Sequence, residues 1–129
     1  MKIAAIRGLF GFIFSRGLDR GLARILKETA GNTGKVFAHT QDVRIDSYNP
    51  NIIMGHSLGA NEAIEQCHDL MLEGKEVDLL VLFDPAFFGR SKYAPNTYRI
   101  PGNVKHVINF VSRDFRAKKV RTMPHNIAT

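Results

Sequence analysis

An apolar segment, Asn51-Ile52-Ile53-Met54, runs directly into Gly55-His56-Ser57-Leu58-Gly59 and from there into a stretch of helical periodicity. Ala60, Ala63, Ile64, Cys67, Leu70 and Met71 share one face between Ala60 and Glu73. Gly74 stands where helices commonly close. A strand that gives way to a helix through so short a glycine-bounded turn is the joint of a layered α/β domain. Neither an all-helical bundle nor an antiparallel sandwich needs such a joint.

The flanking sequence repeats this rhythm. Ile3-Ala4-Ala5-Ile6 reads as a short buried strand, and Arg7-Gly8-Leu9-Phe10-Gly11 as a glycine-punctuated turn. Leu18, Leu22, Ile25 and Leu26 lie at helical spacing within Leu18 to Lys27. Gly31-Asn32-Thr33-Gly34 signals a stop and turn, and a short strand follows at Val36-Phe37-Ala38. Thr40 to Asn51 is polar and ends in a turn, Tyr48-Asn49-Pro50-Asn51. Val77 to Phe83 is the near-continuous apolar run of a strand covered on both faces, closed by Asp84-Pro85. Gly89 to Gly102 reads as a polar loop, and Val104 to Val111 as a last strand leading to Ser112-Arg113-Asp114. The expected fold is three-layer α/β, a mostly parallel sheet with flanking helices, in a single domain over 1–129.

Composition narrows the class further. With 129 residues, 44% of them hydrophobic, the chain suits one domain with a real core. No run approaches the roughly 20 apolar residues of a membrane-spanning helix. Lys2 precedes a mostly apolar run from Ile3 to Phe14, but Arg7 interrupts it and no small-residue cleavage signal follows. One cysteine, Cys67, excludes an internal disulfide and fits a reducing, cytoplasmic setting. The net charge of +6 is concentrated toward Arg113, Arg116, Lys118, Lys119 and Arg121. Aromatic residues do not interleave with those cations, and no nucleic-acid module is present, so a solvated basic face is expected rather than nucleic-acid binding. Scattered histidines and a lone cysteine supply no metal-ligand spacing, and no phosphate loop occurs, so neither metal nor cofactor is expected.

The Gly55-His56-Ser57-Leu58-Gly59 segment has the form G-x-S-x-G, set between a strand and a helix as that motif requires. The turn should strain the backbone at Ser57 and present its hydroxyl at the carboxyl end of the sheet, where open α/β folds bind ligands. The helix that follows offers unpaired N–H groups to developing negative charge, with the Leu58 amide as the natural first donor. In this wording the chain resembles the α/β-hydrolase superfamily, in its lipase, esterase and thioesterase branches. The resemblance implies a minimal α/β-hydrolase fold, and a serine hydrolase that cleaves carboxylic esters or thioesters through an acyl-enzyme on Ser57.

Further roles come from the same resemblance. Ile6-Arg7-Gly8-Leu9-Phe10 occupies the place of the family's His-Gly-hydrophobic turn, with Arg7 standing where histidine is usual. It implies a second oxyanion donor at Leu9, or alternatively at Phe10. Phe10, Phe12 and Phe14 would line an acyl pocket or belong to the core. The family's chain order of serine, acid, histidine implies His125 as base, since it alone of the histidines follows everything else and lies in a loop. Asp114 is the favoured acid, with Asp84 as the alternative. In the mechanism implied, His125 removes the Ser57 proton, Asp114 orients the imidazole, and water releases the acyl group.

Two other readings remain open on sequence. One is a weak or inactive hydrolase-fold binding module that uses the basic surface to engage an anionic partner or membrane surface. The other is a fragment whose sheet is incomplete. Domains with this elbow are commonly about twice as long by the resemblance, and most carry a helix where Thr40 to Pro50 shows no clear apolar helical face. A sheet face left bare there would be covered by a partner, so a homo-oligomer is expected. A small acyl ester or thioester is the expected substrate.

Overall fold

A computed structural model describes residues 1–8, 16–29, 31–38, 47–85 and 99–110. Its elements in chain order are β1 (Lys2–Arg7), α1 (Arg16–Glu28), β2 (Thr33–Ala38), β3 (Ile52–His56), α2 (Leu58–Leu72), β4 (Val77–Phe83) and β5 (Val104–Phe110). The strands form one sheet in the order β2-β1-β3-β4-β5. Every neighbouring pair is parallel. Parallel neighbours cannot be joined by tight hairpins, so each connection must cross a face of the sheet. The α/β class expected from the strand and helix rhythm is therefore present.

The order of the strands decides which face each helix covers. From β1 the chain moves outward to β2, and from β3 it moves the opposite way to β4. Right-handed crossovers in opposite directions put their helices on opposite faces. Buried side chains follow that division. Ala4, Ile6, Ile53, Leu80 and Leu82 pack with Ala60, Ala63, Ile64, Cys67 and Leu70 of α2. Ile3, Ala5, Met54 and Val81 pack with Leu22 of α1, and Ile25 and Leu26 join them. Alternation along β1, β3 and β4 thus feeds two cores, which is why these three strands read as near-continuous apolar runs.

Helix α2 closes as its sequence suggests. Gly74 has φ 73°, the Gly74 N–H donates to the Met71 carbonyl, and the Lys75 N–H donates to the Leu70 carbonyl. These are the paired bonds of a Schellman stop. Helix α1 is a turn longer than its apolar pattern suggested.

Two local readings change. Thr33 and Gly34, read as part of a turn, belong to β2, because they pair with Lys2 and Ile3 of β1. Tyr48, read as the first residue of a turn, has helical backbone together with Ser47, and the turn itself falls at Asn49, with φ 58°. Tyr48 packs against the α2-side core, with its ring 5.8 Å from that of Phe37. The rest of the segment proposed to lack a helix, 40–46, lies outside the described residues. No described helix is long and apolar enough to cross a membrane.

Candidate functional site at the strand–helix elbow

Strand β3 ends at His56 and α2 begins at Leu58, so a single residue, Ser57, makes the whole turn. Its backbone lies at φ 57°, ψ −119°. Side chains with a Cβ rarely adopt that region, and holding one there costs on the order of 1–3 kcal/mol. Serine is a common helix N-cap because its oxygen can accept an orphan helix N–H. Ser57 makes no such side-chain bond. The residue therefore bears strain without the usual stabilising role of a serine at a helix start, and its side chain is half-buried rather than sealed in the core.

Three glycines hold the turn in place. A Cβ on Gly55 would overlap the Gly59 carbonyl and lie 2.6 Å from the Ala60 Cα. One on Gly59 would overlap the Ile6 carbonyl and lie 2.7 Å from the Arg7 carbonyl oxygen. One on Gly8 would lie 2.8 Å from the His56 carbonyl oxygen and 3.0 Å from the Ser57 Cβ. The obstacles are mainly backbone, so a side chain could not simply rotate away. Glycine at these positions lets α2 seat directly on the ends of β1 and β3. The Ser57 N–H is held from the other side, donating to the Phe83 carbonyl at 2.9 Å.

The location follows from topology. Connections leave β1 and β3 in opposite directions, so a crevice opens between their carboxyl ends, the usual ligand position in open α/β sheets. Arg7 and Gly8 border it from β1, His56 and Ser57 from β3. Leu58 is the first residue of α2, where helix N–H groups lack intrahelical partners.

Asp84 follows β4 directly, one strand farther from the crevice. It too has a positive φ, 45°, and its N–H donates to the Phe110 carbonyl at 2.9 Å. Its side chain is half-buried and Pro85 after it is fully buried. Both sharp turns at this edge, Ser57 and Asp84, are thus pinned to the strand beside them.

The structure brings Ser57, Leu58 and Asp84 to one edge of the sheet. His68, also at a helix position after the elbow, is instead buried and bonds through Nε2 to the Arg99 carbonyl at 2.8 Å. His106 lies within β5. Leu9, Phe10, Phe12, Phe14, Asp114 and His125 lie outside the described residues. Cys67 is buried on α2, and burial pushes its thiol well above the ordinary range. Among the described residues no group of His, Cys, Asp and Glu is placed to hold a metal.

Sequence reasoning did not place Arg7 beside His56, because which strand would lie next to β1 is not legible along the chain; the pairing of Ile6 with Gly55 sets the two side by side. Chemically, a half-buried hydroxyl beside the first-turn N–H groups of a helix suits attack on an electrophilic carbonyl once a base is supplied. No known protein family, curated protein or solved structure matches the chain.

Proposed function

We propose that this protein is a serine hydrolase of the α/β-hydrolase type, acting on a small carboxylic ester or thioester through an acyl-enzyme on Ser57. One observation carries the reading: a serine is kept at φ 57°, ψ −119°, where glycine would fit without strain, and it caps nothing. Strain of this kind is retained at positions where the side chain is used. The seating of Gly8, Gly55 and Gly59 around the turn supports it.

In the proposed reaction the Ser57 hydroxyl attacks the acyl carbonyl as His125 removes its proton. Asp114 orients His125, or Asp84 does so from the end of β4. The amides of Leu58 and Leu9, or Phe10 in its place, stabilise the oxyanion. Removal of one such donor typically lowers kcat by about 10²–10³. The tetrahedral intermediate then expels the alcohol or thiol, which takes the proton from His125, and leaves the acyl-enzyme. Water, giving a proton to His125, attacks that acyl group, the carboxylic acid departs, and the serine is regenerated with its proton. The chain would work as a homo-oligomer in the cytoplasm.

A fluorophosphonate probe tests the assignment directly. It should label the protein at Ser57, and Ser57→Ala should abolish both labelling and ester hydrolysis while leaving the circular dichroism spectrum unchanged. An intact fold that neither takes the probe nor hydrolyses any acyl ester would instead favour the inert binding module.

A further inference from the structure

We propose that the outer edge of β5 is a self-association surface, to which a second copy of the chain adds its own β5, antiparallel, about a two-fold axis at Ile108. This rests on the reading of the protein as a homo-oligomer and deepens it by naming the surface and its geometry.

The sheet ends in β2 on one side and β5 on the other, and among the described residues no strand pairs with the outer side of either. An open edge presents a row of backbone donors and acceptors, and proteins commonly guard it with a charged side chain, lysine above all. On β2 that guard is present. Lys35 is exposed, with its ammonium 5.7 Å from the centroid of the Tyr48 ring, and no carboxylate among the described residues pairs with it. Two copies meeting through β2 would bring uncompensated cations together. On β5 the lysine is Lys105, and it is drawn toward β4 instead. Its Nζ lies 3.2 Å from Glu76 Oε2 and 3.2 Å from Asp78 Oδ1. The outer side of β5 is thus left without a free lysine.

What β5 exposes beside that edge is apolar. Val81 pairs with Ile108 and Phe83 with Phe110, so both β5 side chains lie on the α1 side of the sheet. Helix α1 packs on β1 and β2, and Ile108 and Phe110 remain 43% and 52% exposed. An antiparallel pair about Ile108 buries this row against itself. Ile108 then stands opposite its own copy, and Phe110 opposite the partner's His106. Side chains directly opposite each other are about 4.5–5.5 Å apart at Cβ, which is contact distance. The Phe110 ring is already oriented, stacked on Phe83 with centroids 5.2 Å apart. The two Lys105 clusters fall at opposite ends of the pair, about 20 Å from each other at the rise of an extended strand, so they do not oppose the contact. Five paired residues on each side, 106–110, make a small interface, and association of this size is concentration-dependent rather than permanent.

Sedimentation velocity from about 1 to 200 µM should therefore show a monomer passing into a dimer by mass action. Ile108→Lys sets like charges opposite each other and should raise the dissociation constant at least about tenfold. Leu72→Lys, at an apolar site on α2 that is 72% exposed, should leave it unchanged. Ile108→Cys should be trapped as a reducible covalent dimer by copper phenanthroline, because opposite residues at the axis fall within the Cα separation a disulfide spans. Leu72→Cys should not be trapped, and the native Cys67 is buried. Trapping decides the matter even if circular dichroism shows that Ile108→Lys has unfolded. An oligomer overturns the proposed surface, while leaving the homo-oligomer reading intact, if a folded Ile108→Lys preserves it, if Leu72→Lys disrupts it equally, or if Ile108→Cys is not trapped. A monomer at every concentration overturns both. Fluorophosphonate labelling of Ser57 is independent of each of these results.

Discussion

Ser57→Gly should make the protein more stable and catalytically dead. The wild-type backbone at this position, φ 57°, ψ −119°, is one that glycine enters freely and other residues do not. Relief of the strain is worth about 1–3 kcal/mol. Glycine also gains freedom in the unfolded chain, which removes about 0.5–1 kcal/mol of that benefit. The proper reference is Ser57→Ala, which keeps the Cβ and its strain. It deletes a hydroxyl that caps no helix N–H, so its stability should stay within about 0.5 kcal/mol of wild type. Ser57→Gly should then exceed Ser57→Ala by about 1 kcal/mol and at most about 2.5 kcal/mol, with a central rise in Tm of about 3–6 °C for a domain of this size. Urea titrations of the three proteins, with unchanged m values, measure the difference. Both variants should lose probe labelling. If Ser57→Gly proved no more stable than Ser57→Ala, the serine would not be held against its conformational preference, and the main argument for its chemical use would fail.

Gly59→Ala should destabilise by at least the 1–3 kcal/mol typical of overpacking, because the new methyl meets the carbonyls of Ile6 and Arg7; thermal unfolding measures it, and a neutral outcome would show that α2 is not seated on β1 as described. Asp114→Asn should lower kcat by about 10⁴ and Asp84→Asn far less; the reverse ranking in steady-state assays would transfer the acid role to Asp84. The Cys67 thiol should resist iodoacetamide in the native protein at pH 8 and react once the chain unfolds, since burial raises its ionisation well above the ordinary value. Its folded value lies above its unfolded one, so its contribution to stability is complete below about pH 8.5 and declines as pH rises beyond that. Comparing wild type with Cys67→Ala by urea unfolding between pH 8 and 10 isolates this decline, which should be absent in the variant.

Much of the architecture was legible because apolar periodicity reports burial directly. Ile3 to Ile6 and Val77 to Phe83 alternate between two cores, so both read as strands. The helical stripe from Ala60 to Leu70 is likewise the face α2 turns toward the sheet. Thr33 and Gly34 were misread because their own chemistry favours a turn, and pairing with Lys2 and Ile3 overrides it. Asn49 and Pro50 signal a turn that the structure has at Asn49, while Tyr48 just before it has helical backbone and its ring is held against Phe37 and the core.

At the candidate site the division is sharper. The sequence by itself determined that a serine must make a turn between a strand and a helix, with glycine on either side. Local chemistry suffices for that, since the pattern of apolar and small residues is read along the chain. It could not determine that Gly8, about fifty residues earlier, presses against that serine, or that Arg7 stands beside His56. Those neighbours depend on strand order, and strand order arises from how the crossovers distribute two helices over two faces. Only the assembled sheet sets the carboxyl ends of β1 and β3 side by side and brings a strained serine, the first turn of α2 and the Arg7 backbone to the same edge.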